Sequence, residues 1–516
     1  MSELLALEPV PAPPPVAGRP AVAASSAAAV RPAVRRLASV VPVLVLVAIG
    51  IANLQPIEDP DFWWLLRGGR YVVETRTFPT ADPFSATAAG AEWLNHAWGF
   101  ELLLYGVHAV AGLAGVVWLQ GLLALATFAV LYGTLRREGL GVGPALGIVV
   151  VGALATRGFW SPRPQLATYL LLAVFAAVLA GAARGRTRGL RWLPPLAVVW
   201  VNVHGGFLIG PALIVLAAAG ELAGWFWDGD RAALRRTGML AGTALATLAA
   251  SLLNPFHYRA LLFPLAVMSD RVGKEAIIEW ASPAFSAPQV MLLEAMFLAV
   301  LLVSLRTERR VAWRELVVLA PLVHLALQST RNTPIFVIAA TPVLGRVLAD
   351  WRPGWRPRTV AGRLAAGAGL AVAVAVACAL SVGSWSPGQV GRALAPGFGT
   401  AGPFPAEAVR FLDRSGGSGT LLNEYGWGGY LIWHLYPAYR VSIDGRMAVY
   451  GPARFLQHVT VTELRPGWRE VVARLDPTLA LLDTASPLAR ALRADGWTVL
   501  HEDSVATVLR PPEKRG

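Results

Sequence analysis

The sequence is poor in charge for its length and almost free of cysteine. Of its 516 residues only 15% are Asp, Glu, Lys or Arg, and the single cysteine is Cys378. One cysteine excludes an internal disulfide and a thiolate metal cluster. A soluble protein carries about 25% charged residues, whereas this chain is 55% hydrophobic. The composition therefore predicts a membrane protein rather than a soluble one.

Long apolar runs account for this composition. They recur at about the 20 residues that are needed to cross the hydrocarbon core of a bilayer. We predict about eleven membrane spans, at 37–57, 113–135, 141–157, 165–183, 192–204, 206–226, 237–253, 287–305, 313–329, 333–348 and 361–383. The predicted fold class is thus mainly α, with a transmembrane domain at 37–383. Residues 1–36, rich in Ala, Pro and Val, are predicted to be a disordered cytoplasmic tail.

The formal net charge of +13 follows the predicted loops. With the N-terminus inside, arginines fill every cytoplasmic connection, Arg136 and Arg137 among them, as the positive-inside rule requires. Membrane orientation thus explains the charge, and we predict the lipid bilayer, and no nucleic acid, as a partner. An odd number of spans places the C-terminal part of the chain outside.

Polar side chains of both signs gather in the predicted outer loops. They are Glu58, Asp59, Asp61, His96, Arg157, Arg163, His204, His257, Glu279 and Arg331. Charged groups at helix ends usually face a cavity or one another because lipid solvates them poorly. The set therefore predicts one outward-facing site. The alternative is that each group only marks a helix end in interfacial water.

The large first outer loop, residues 58–112, opens with the acidic pair Asp59 and Asp61. One of these carboxylates could act as a general base. Together they could hold a divalent cation, Mg²⁺ or Mn²⁺, that neutralises a diphosphate, or they could simply keep the loop soluble. We favour the catalytic role. Trp63 and Trp64 follow at once and fit an interfacial aromatic belt, on an amphipathic helix that lies along the membrane.

Three outer arginines suit a phosphate group. Arg157 and Arg163 belong to a turn that Pro162 and Pro164 stiffen, and Arg331 is the cation of another outer turn. A guanidinium binds phosphate through two parallel hydrogen bonds. We predict that these arginines bind the phosphate of a lipid-linked donor, although lipid headgroups would satisfy them equally well.

A change in composition marks the C-terminal part of the chain. Charges of both signs and short alternating elements predict a small extracytoplasmic α/β domain at 384–516. Its aromatic stretch contains Glu424, Tyr425, Trp427 and Tyr430. Aromatic faces beside a carboxylate suit sugar rings or extended peptides, so we predict acceptor binding here. The alternative is that these rings pack the domain onto the membrane helices.

With these features the chain resembles the GT-C superfamily, the polytopic transferases that take sugars from polyprenyl-phosphate donors. The tract Leu422-Asn423-Glu424-Tyr425-Gly426 resembles the Trp-Trp-Asp-Tyr-Gly motif of the oligosaccharyltransferase catalytic subunit, without its tryptophans and with Glu in place of Asp. The chain is also similar to a group of bacterial multi-spanning proteins that carry an Asp-x-Asp-x-Trp-Trp start. That group has a histidine where this chain has Leu65.

The resemblance implies a bacterial inner-membrane glycosyltransferase of the cell envelope. It would move a sugar from a polyprenyl-phosphate-linked donor to an extracytoplasmic glycan, lipid or protein. A transporter or flippase of a lipid-linked intermediate is the alternative, and it predicts inverted repeats and charges at mid-membrane depth. The sequence shows neither feature clearly. A non-catalytic scaffold in envelope assembly is the third hypothesis.

Overall fold

The computed structural model describes residues 40–270, 272, 274, 278–284, 290–291, 294, 297–298, 313–350 and 404–513. The predicted tail at 1–36, the span at 361–383 and most of the span at 287–305 lie outside the described residues. The chain divides into two units, Met1–Val45 and Leu46–Gly516. The described part of the first unit is the start of an apolar helix. The contacts discussed below all lie within the second unit.

Helices dominate the part of the chain before residue 351. In chain order they are α1 (Val40–Ala52), α2 (Asp61–Thr75), α3 (Trp98–Arg137), α4 (Val142–Ala155), α5 (Gln165–Ala183), α6 (Leu193–Val203), α7 (Ile209–Asp228), α8 (Arg231–Ala250), α9 (Tyr258–Ser269), α10 (Trp313–Gln328) and α11 (Thr333–Asp350). Four stretches are long and apolar enough to cross a membrane: Trp98–Arg137, Gln165–Ala183, Gly205–Asp228 and Thr330–Ala349. They identify the chain as a membrane protein in coarse outline.

The described residues do not confirm a count of about eleven spans. The span predicted at 192–204 forms α6, which has only 11 residues. The span predicted at 237–253 falls in α8, whose first turns carry Arg231, Arg235 and Arg236. At about 1.5 Å per residue, α6 alone is shorter than the hydrocarbon core of a bilayer.

The 58–112 loop ends in the first half of α3. This helix has 40 residues and breaks at Gly112, which has φ 61° and ψ −161°. The part before the break belongs to the loop, and the part after it is the span predicted at 113–135. The end of the loop is therefore joined directly to a membrane helix.

The C-terminal region, residues 404–513, contains a five-stranded mixed sheet. Its elements are α12 (Ala406–Ser415), β1 (Gly419–Asn423), α13 (Gly428–Leu435), β2 (Tyr439–Val441), α14 (Met447–Thr462), α15 (Trp468–Leu475), β3 (Leu479–Asp483), α16 (Pro487–Ala494), β4 (Thr498–Glu502) and β5 (Ala506–Arg510). The strand order is β2-β1-β3-β5-β4. β1 is parallel to β2 and β3, whereas β5 is antiparallel to β3 and β4. The α/β character predicted for this part of the chain is confirmed.

The 58–112 loop and the C-terminal region share one hydrophobic core. Phe62, Trp63 and Leu66 of α2 are buried in the same cluster as Leu431 and Leu435 of α13. Trp63 is only 2% exposed and lies edge-on to the ring of Tyr430, with 5.0 Å between ring centroids. The predicted interfacial position of Trp63 is therefore wrong, because the C-terminal region covers α2.

The loop also extends the edge of the sheet. Ser85 pairs with Val441 of β2 in a parallel bridge, and the N–H of Ala86 donates to the Val441 carbonyl at 2.8 Å. Thr87 Oγ1 donates to the Ser442 carbonyl at 2.6 Å. Backbone groups that an edge strand would leave open are thus paired here, and the loop is fixed against the C-terminal region.

Candidate functional site

The acidic pair lies at the N-terminus of α2. Asp59 Oδ1 accepts a hydrogen bond from the N–H of Asp61 at 3.0 Å, and Trp64 Nε1 donates to Asp61 Oδ1 at 3.0 Å. A helix N-terminus stabilises negative charge because its N–H groups point outward. The local sequence therefore holds both carboxylates in fixed orientations at one helix end.

Arg163 bridges this pair to a third carboxylate. Its Nη2 lies 2.9 Å from Asp61 Oδ2, and its Nη1 lies 3.4 Å from Asp59 Oδ2 and 3.5 Å from Glu279 Oε1. The side chains of Asp59, Asp61 and Arg163 are 14%, 20% and 19% exposed, and that of Glu279 is 41% exposed. Four residues predicted from sequence, from three distant segments, are thus in direct contact.

The environment of this cluster shifts its titration. Burial raises the pKa of Asp61 to about 6; Arg163 opposes this increase and Asp59 adds to it. Burial alone would lower the pKa of Arg163, but Asp61, Asp59 and Glu279 together raise it. Asp61 can therefore gain or lose a proton near neutral pH, whereas Arg163 remains charged.

A loop of the C-terminal region closes over the acidic pair. The backbone at Gly445 lies so close that a Cβ built there would overlap Asp61 Oδ1. A Cβ at Gly429 would come within 2.7 Å of the Pro60 carbonyl oxygen. Both contacts require glycine, because any side chain would push the C-terminal region away from α2. The aromatic Gly-Gly stretch of the sequence thus serves this close approach.

A buried ion cluster anchors the same loop. Arg446 Nη2 lies 2.7 Å from Asp444 Oδ2, and its Nη1 lies 2.7 Å from Asp82 Oδ1 of the 58–112 loop. The Tyr450 hydroxyl donates to Asp444 Oδ2 at 2.6 Å, and the Arg446 guanidinium lies 4.8 Å from the Trp93 ring centroid. The Asp444-Gly445-Arg446 segment is not among the site residues predicted from the sequence. The two opposite charges of Asp444 and Arg446, within an otherwise apolar stretch, are the sequence feature that could have indicated a buried ion pair.

Arg331 lies on a neighbouring turn. Its guanidinium is 5.1 Å from the ring centroid of Trp280, and the ammonium of Lys274 is 5.8 Å from the same ring. Ser329 Oγ donates to the Glu279 carbonyl at 2.9 Å, which holds this turn beside the acidic cluster. Within the part of the chain that the structure describes, no carboxylate forms an ion pair with Arg331. The positive charge of Arg331 thus lies against an aromatic ring, on the turn beside the acidic cluster.

Two histidines lie close enough to Arg331 for its charge to act on them. The rings of His96 and His204 are 6.4 Å apart, and His96 stacks on Phe263 at 4.5 Å. Trp200 Nε1 donates to Thr168 Oγ1 at 2.7 Å, and Thr168 Oγ1 lies 2.7 Å from His204 Nδ1. The N–H of Gly206 also donates to His204 Nδ1, at 3.2 Å, so Nδ1 is an acceptor and the proton of a neutral His204 is on Nε2.

His96 is also influenced by the cationic turn. Burial lowers the pKa of His96 to about 4, and the positive charge of Arg331 contributes to the decrease. His96 is therefore a neutral ring at physiological pH. The structure thus places both histidines in the electrostatic environment of Arg331.

Other predicted site residues have different surroundings. Glu58 and His257 are exposed, and His257 precedes α9 with a φ of 48°. Arg157 is half-buried in a 3₁₀ turn that ends at Phe159, shortly before the turn that carries Arg163. These surroundings differ from those of Asp59, Asp61 and Glu279, whose carboxylates all contact Arg163.

The predicted acceptor residues divide into two pairs. Trp427 and Tyr430 are buried, and Tyr430 stacks on Phe404 with 5.0 Å between ring centroids. Their rings pack the C-terminal region onto α2, which is the alternative that the sequence left open. Glu424 and Tyr425 are half-buried, and the charges of Asp61 and Arg163 both act on the Tyr425 hydroxyl. Of the four predicted acceptor residues, Tyr425 is therefore the one on which we find that the charges of the acidic site act.

The acidic pair does not fit a divalent cation as it stands. Asp59 Oδ2 and Asp61 Oδ2 both contact the Arg163 guanidinium. Mg²⁺ needs oxygen ligands at about 2.1 Å in near-octahedral geometry. In the described ranges, no group of three or more His, Cys, Asp or Glu side chains is placed to hold a metal ion.

Comparison with known proteins identifies the fold. No protein-family model and no curated protein sequence matches the chain. The archaeal oligosaccharyltransferase AglB from Archaeoglobus fulgidus, in complex with an inhibitory peptide and a dolichol-phosphate, is similar with a TM-score of 0.56 and 10% identity, over 92% of this chain and 74% of that chain. The apo oligosaccharyltransferase of Archaeoglobus fulgidus gives a TM-score of 0.53 and 13% identity, again over 92% and 74%. The chain thus has a GT-C-like fold, as the resemblance implied.

Proposed function

We propose that this protein is a GT-C type glycosyltransferase that moves a sugar from a polyprenyl-phosphate-linked donor to an extracytoplasmic acceptor. The observation that carries the proposal is the contact of Asp59, Asp61 and Glu279 with Arg163, beneath a loop of the C-terminal region. A fold alone does not define an activity, so the proposal rests on this site. The membrane would be the bacterial inner membrane, with the N-terminus in the cytoplasm.

In the proposed reaction Asp61 is the base. Its carboxylate accepts the proton of the acceptor nucleophile as that group attacks the anomeric carbon of the sugar. The bond between that carbon and the phosphate oxygen breaks, and its electron pair leaves with the polyprenyl phosphate. Arg163 fixes the orientation of Asp61 through the contact at 2.9 Å. Asp59 shares that guanidinium and supports the helix end.

Arg331 stabilises the leaving phosphate. Among the described arginines of the site it is the one whose guanidinium contacts an aromatic ring rather than a carboxylate. Charge-assisted hydrogen bonds from arginine to phosphate are strong and bidentate, and donors placed where charge develops accelerate transfer. The dolichol-phosphate bound by AglB supports a lipid-phosphate donor for this fold.

Mass spectrometry of envelope glycans and lipid-linked intermediates tests the proposal. Cells that lack the gene are compared with cells that carry the wild type or Asp61→Asn. We expect both defective strains to lose one sugar from an envelope acceptor and to accumulate its lipid-linked donor on the outer leaflet. Donor that accumulates on the inner leaflet would indicate a flippase, and an unchanged glycan profile would indicate a scaffold.

A further inference from the structure

We propose that the Arg163 side chain takes the place of a divalent cation in this site, so that the protein neither binds nor needs a metal ion there. The inference deepens the proposed function and rests on it where activity is concerned. Its structural part, the occupation of the carboxylates by a guanidinium, stands without any assumption about the reaction.

Three carboxylates converge on one cation, the guanidinium of Arg163. Arg163 contacts Asp61 at 2.9 Å, Asp59 at 3.4 Å and Glu279 at 3.5 Å. Like charges this close destabilise each other unless a positive charge lies between them. Of the described residues, Arg163 is the one that contacts all three acids. It therefore provides the neutralisation that a bound cation would otherwise supply.

The backbone around Arg163 is rigid. Pro162 and Pro164 flank it and fix the backbone φ on both sides. The N–H of Arg163 donates to the Ser161 carbonyl at 2.7 Å, and its own carbonyl accepts from the N–H of Leu166 at 3.1 Å. With 19% of its side chain exposed, the guanidinium is a fixed part of the site rather than a surface charge.

A divalent ion and the Arg163 guanidinium would compete for the same carboxylate oxygen atoms. A divalent ion would have to contact Asp59 Oδ2 and Asp61 Oδ2, the atoms that face Arg163. A metal and a guanidinium cannot both occupy the space between these carboxylates. Arg331, on the neighbouring turn, contacts Trp280, whereas Arg163 contacts the acids. The two arginines thus have separate roles, one for the carboxylates and one for the phosphate.

Mn²⁺ binding to the purified full-length protein tests the inference without any transfer assay. The free Mn²⁺ signal in electron paramagnetic resonance is measured during titration of wild type, Arg163→Ala, Arg163→Lys and the double variant Arg163→Ala/Asp61→Asn. We expect no site-specific binding by wild type or Arg163→Lys. Arg163→Ala should gain about one Mn²⁺ per chain, at least about tenfold tighter than wild type, and the double variant should lose it.

Arg236→Ala is the matched control, because Arg236 bridges Glu221 and Asp230 away from the site. We expect no comparable gain of Mn²⁺ binding in this variant. An equal gain in Arg236→Ala, or binding by wild type that Asp61→Asn abolishes, would overturn the inference. If Arg163→Ala does not fold, the wild-type and Arg163→Lys titrations still decide it.

Chelation separates this inference from the proposed function. Transfer by wild type should continue unchanged after dialysis against EDTA. Transfer that stops on chelation and returns with Mn²⁺ would contradict the role of Arg163 while leaving the glycosyltransferase proposal intact. Absence of any transfer would contradict the proposed function, and the Mn²⁺ titration would still test Arg163.

Discussion

Arg163 and Arg446 each lie between carboxylates, and they differ in how completely their surroundings are closed. Arg446 and its partners Asp82 and Asp444 are at most 2% exposed, with ion-pair distances of 2.7 Å. Arg163 contacts its acids at 2.9 to 3.5 Å, and these acids are 14% to 41% exposed. The buried cluster is saturated with hydrogen bonds, whereas the Arg163 cluster retains access for a reactant.

This difference suggests a division between structure and chemistry. The Arg446 cluster joins the 58–112 loop to the C-terminal region and holds Gly445 against Asp61. The Arg163 cluster presents carboxylates of which one can exchange a proton near neutral pH. Substitution in the buried cluster should therefore affect folding first, and substitution in the exposed cluster should affect activity first. The following predictions test that contrast, in order of decreasing effect.

The largest effect on activity is expected for Asp61→Asn. Loss of the base should lower the rate of transfer by about 100- to 10,000-fold, while the midpoint of thermal unfolding stays close to that of the wild type. The measurements are transfer and thermal unfolding in detergent. Glu74→Gln is the control, because Glu74 lies in the last turn of the same helix and pairs with Arg70 at 2.7 Å. Rapid transfer by Asp61→Asn would remove Asp61 from the site.

The largest effect on stability is expected for Arg446→Ala. This change leaves Asp82 and Asp444 as uncompensated buried charges, which should destabilise the protein by about 3 to 5 kcal/mol. Chemical unfolding and protease release of the C-terminal region measure the loss. Arg440→Ala, an exposed change on β2, should stay within about 0.5 kcal/mol of wild type. Equal stability of the two variants would show that the buried cluster does not anchor this region.

An intermediate effect is expected for Gly445→Ala, which acts on both clusters. The added methyl group would overlap Asp61 Oδ1, so the loop must shift away from Asp61. We expect a loss of stability of about 1 to 3 kcal/mol and reduced transfer. Gly106→Ala is the control, since a Cβ built at Gly106 meets nothing within 4 Å. Unchanged transfer by Gly445→Ala would show that the loop does not position Asp61.

The smallest effect is the pH dependence of transfer. Asp61 must be ionised to act as a base, and burial raises its pKa to about 6. Activity should therefore be retained above pH 6 and fall about tenfold for each unit below it. A pH–rate profile of the wild type measures this limb, and the residual rate of Asp61→Asn should lack it. A wild-type rate that stays constant down to pH 4 would exclude Asp61 as the base.

The sequence was most informative about which groups share one end of the helices. The positive-inside pattern and polar helix ends led to Asp59, Asp61, Arg163 and Glu279, and the structure brings these four into contact. Their pairing could not be predicted, because no spacing along the chain relates position 163 to position 61. Burial of Trp63 was missed for a similar reason, since the region that covers it follows hundreds of residues later.

Patterns of neighbouring residues predicted the elements that depend on neighbouring residues alone. The short alternating elements predicted for the C-terminal part of the chain correspond to the helices and strands from α12 to β5. The predicted number of spans is not confirmed, because four stretches of the described residues are long and apolar enough to cross a membrane. The Asp444-Gly445-Arg446 segment was recognised only in the structure. Its importance depends on Asp82 and Asp61, which are distant in sequence.

The most direct test of the central claim is a cryo-electron microscopy map of the full-length protein with bound polyprenyl phosphate. The account predicts phosphate density against the Arg331 guanidinium, on the same side of the protein as Asp61 and Arg163, with the contact between these two residues preserved. Phosphate bound elsewhere on the protein, or Asp61 and Arg163 separated from each other, would contradict it.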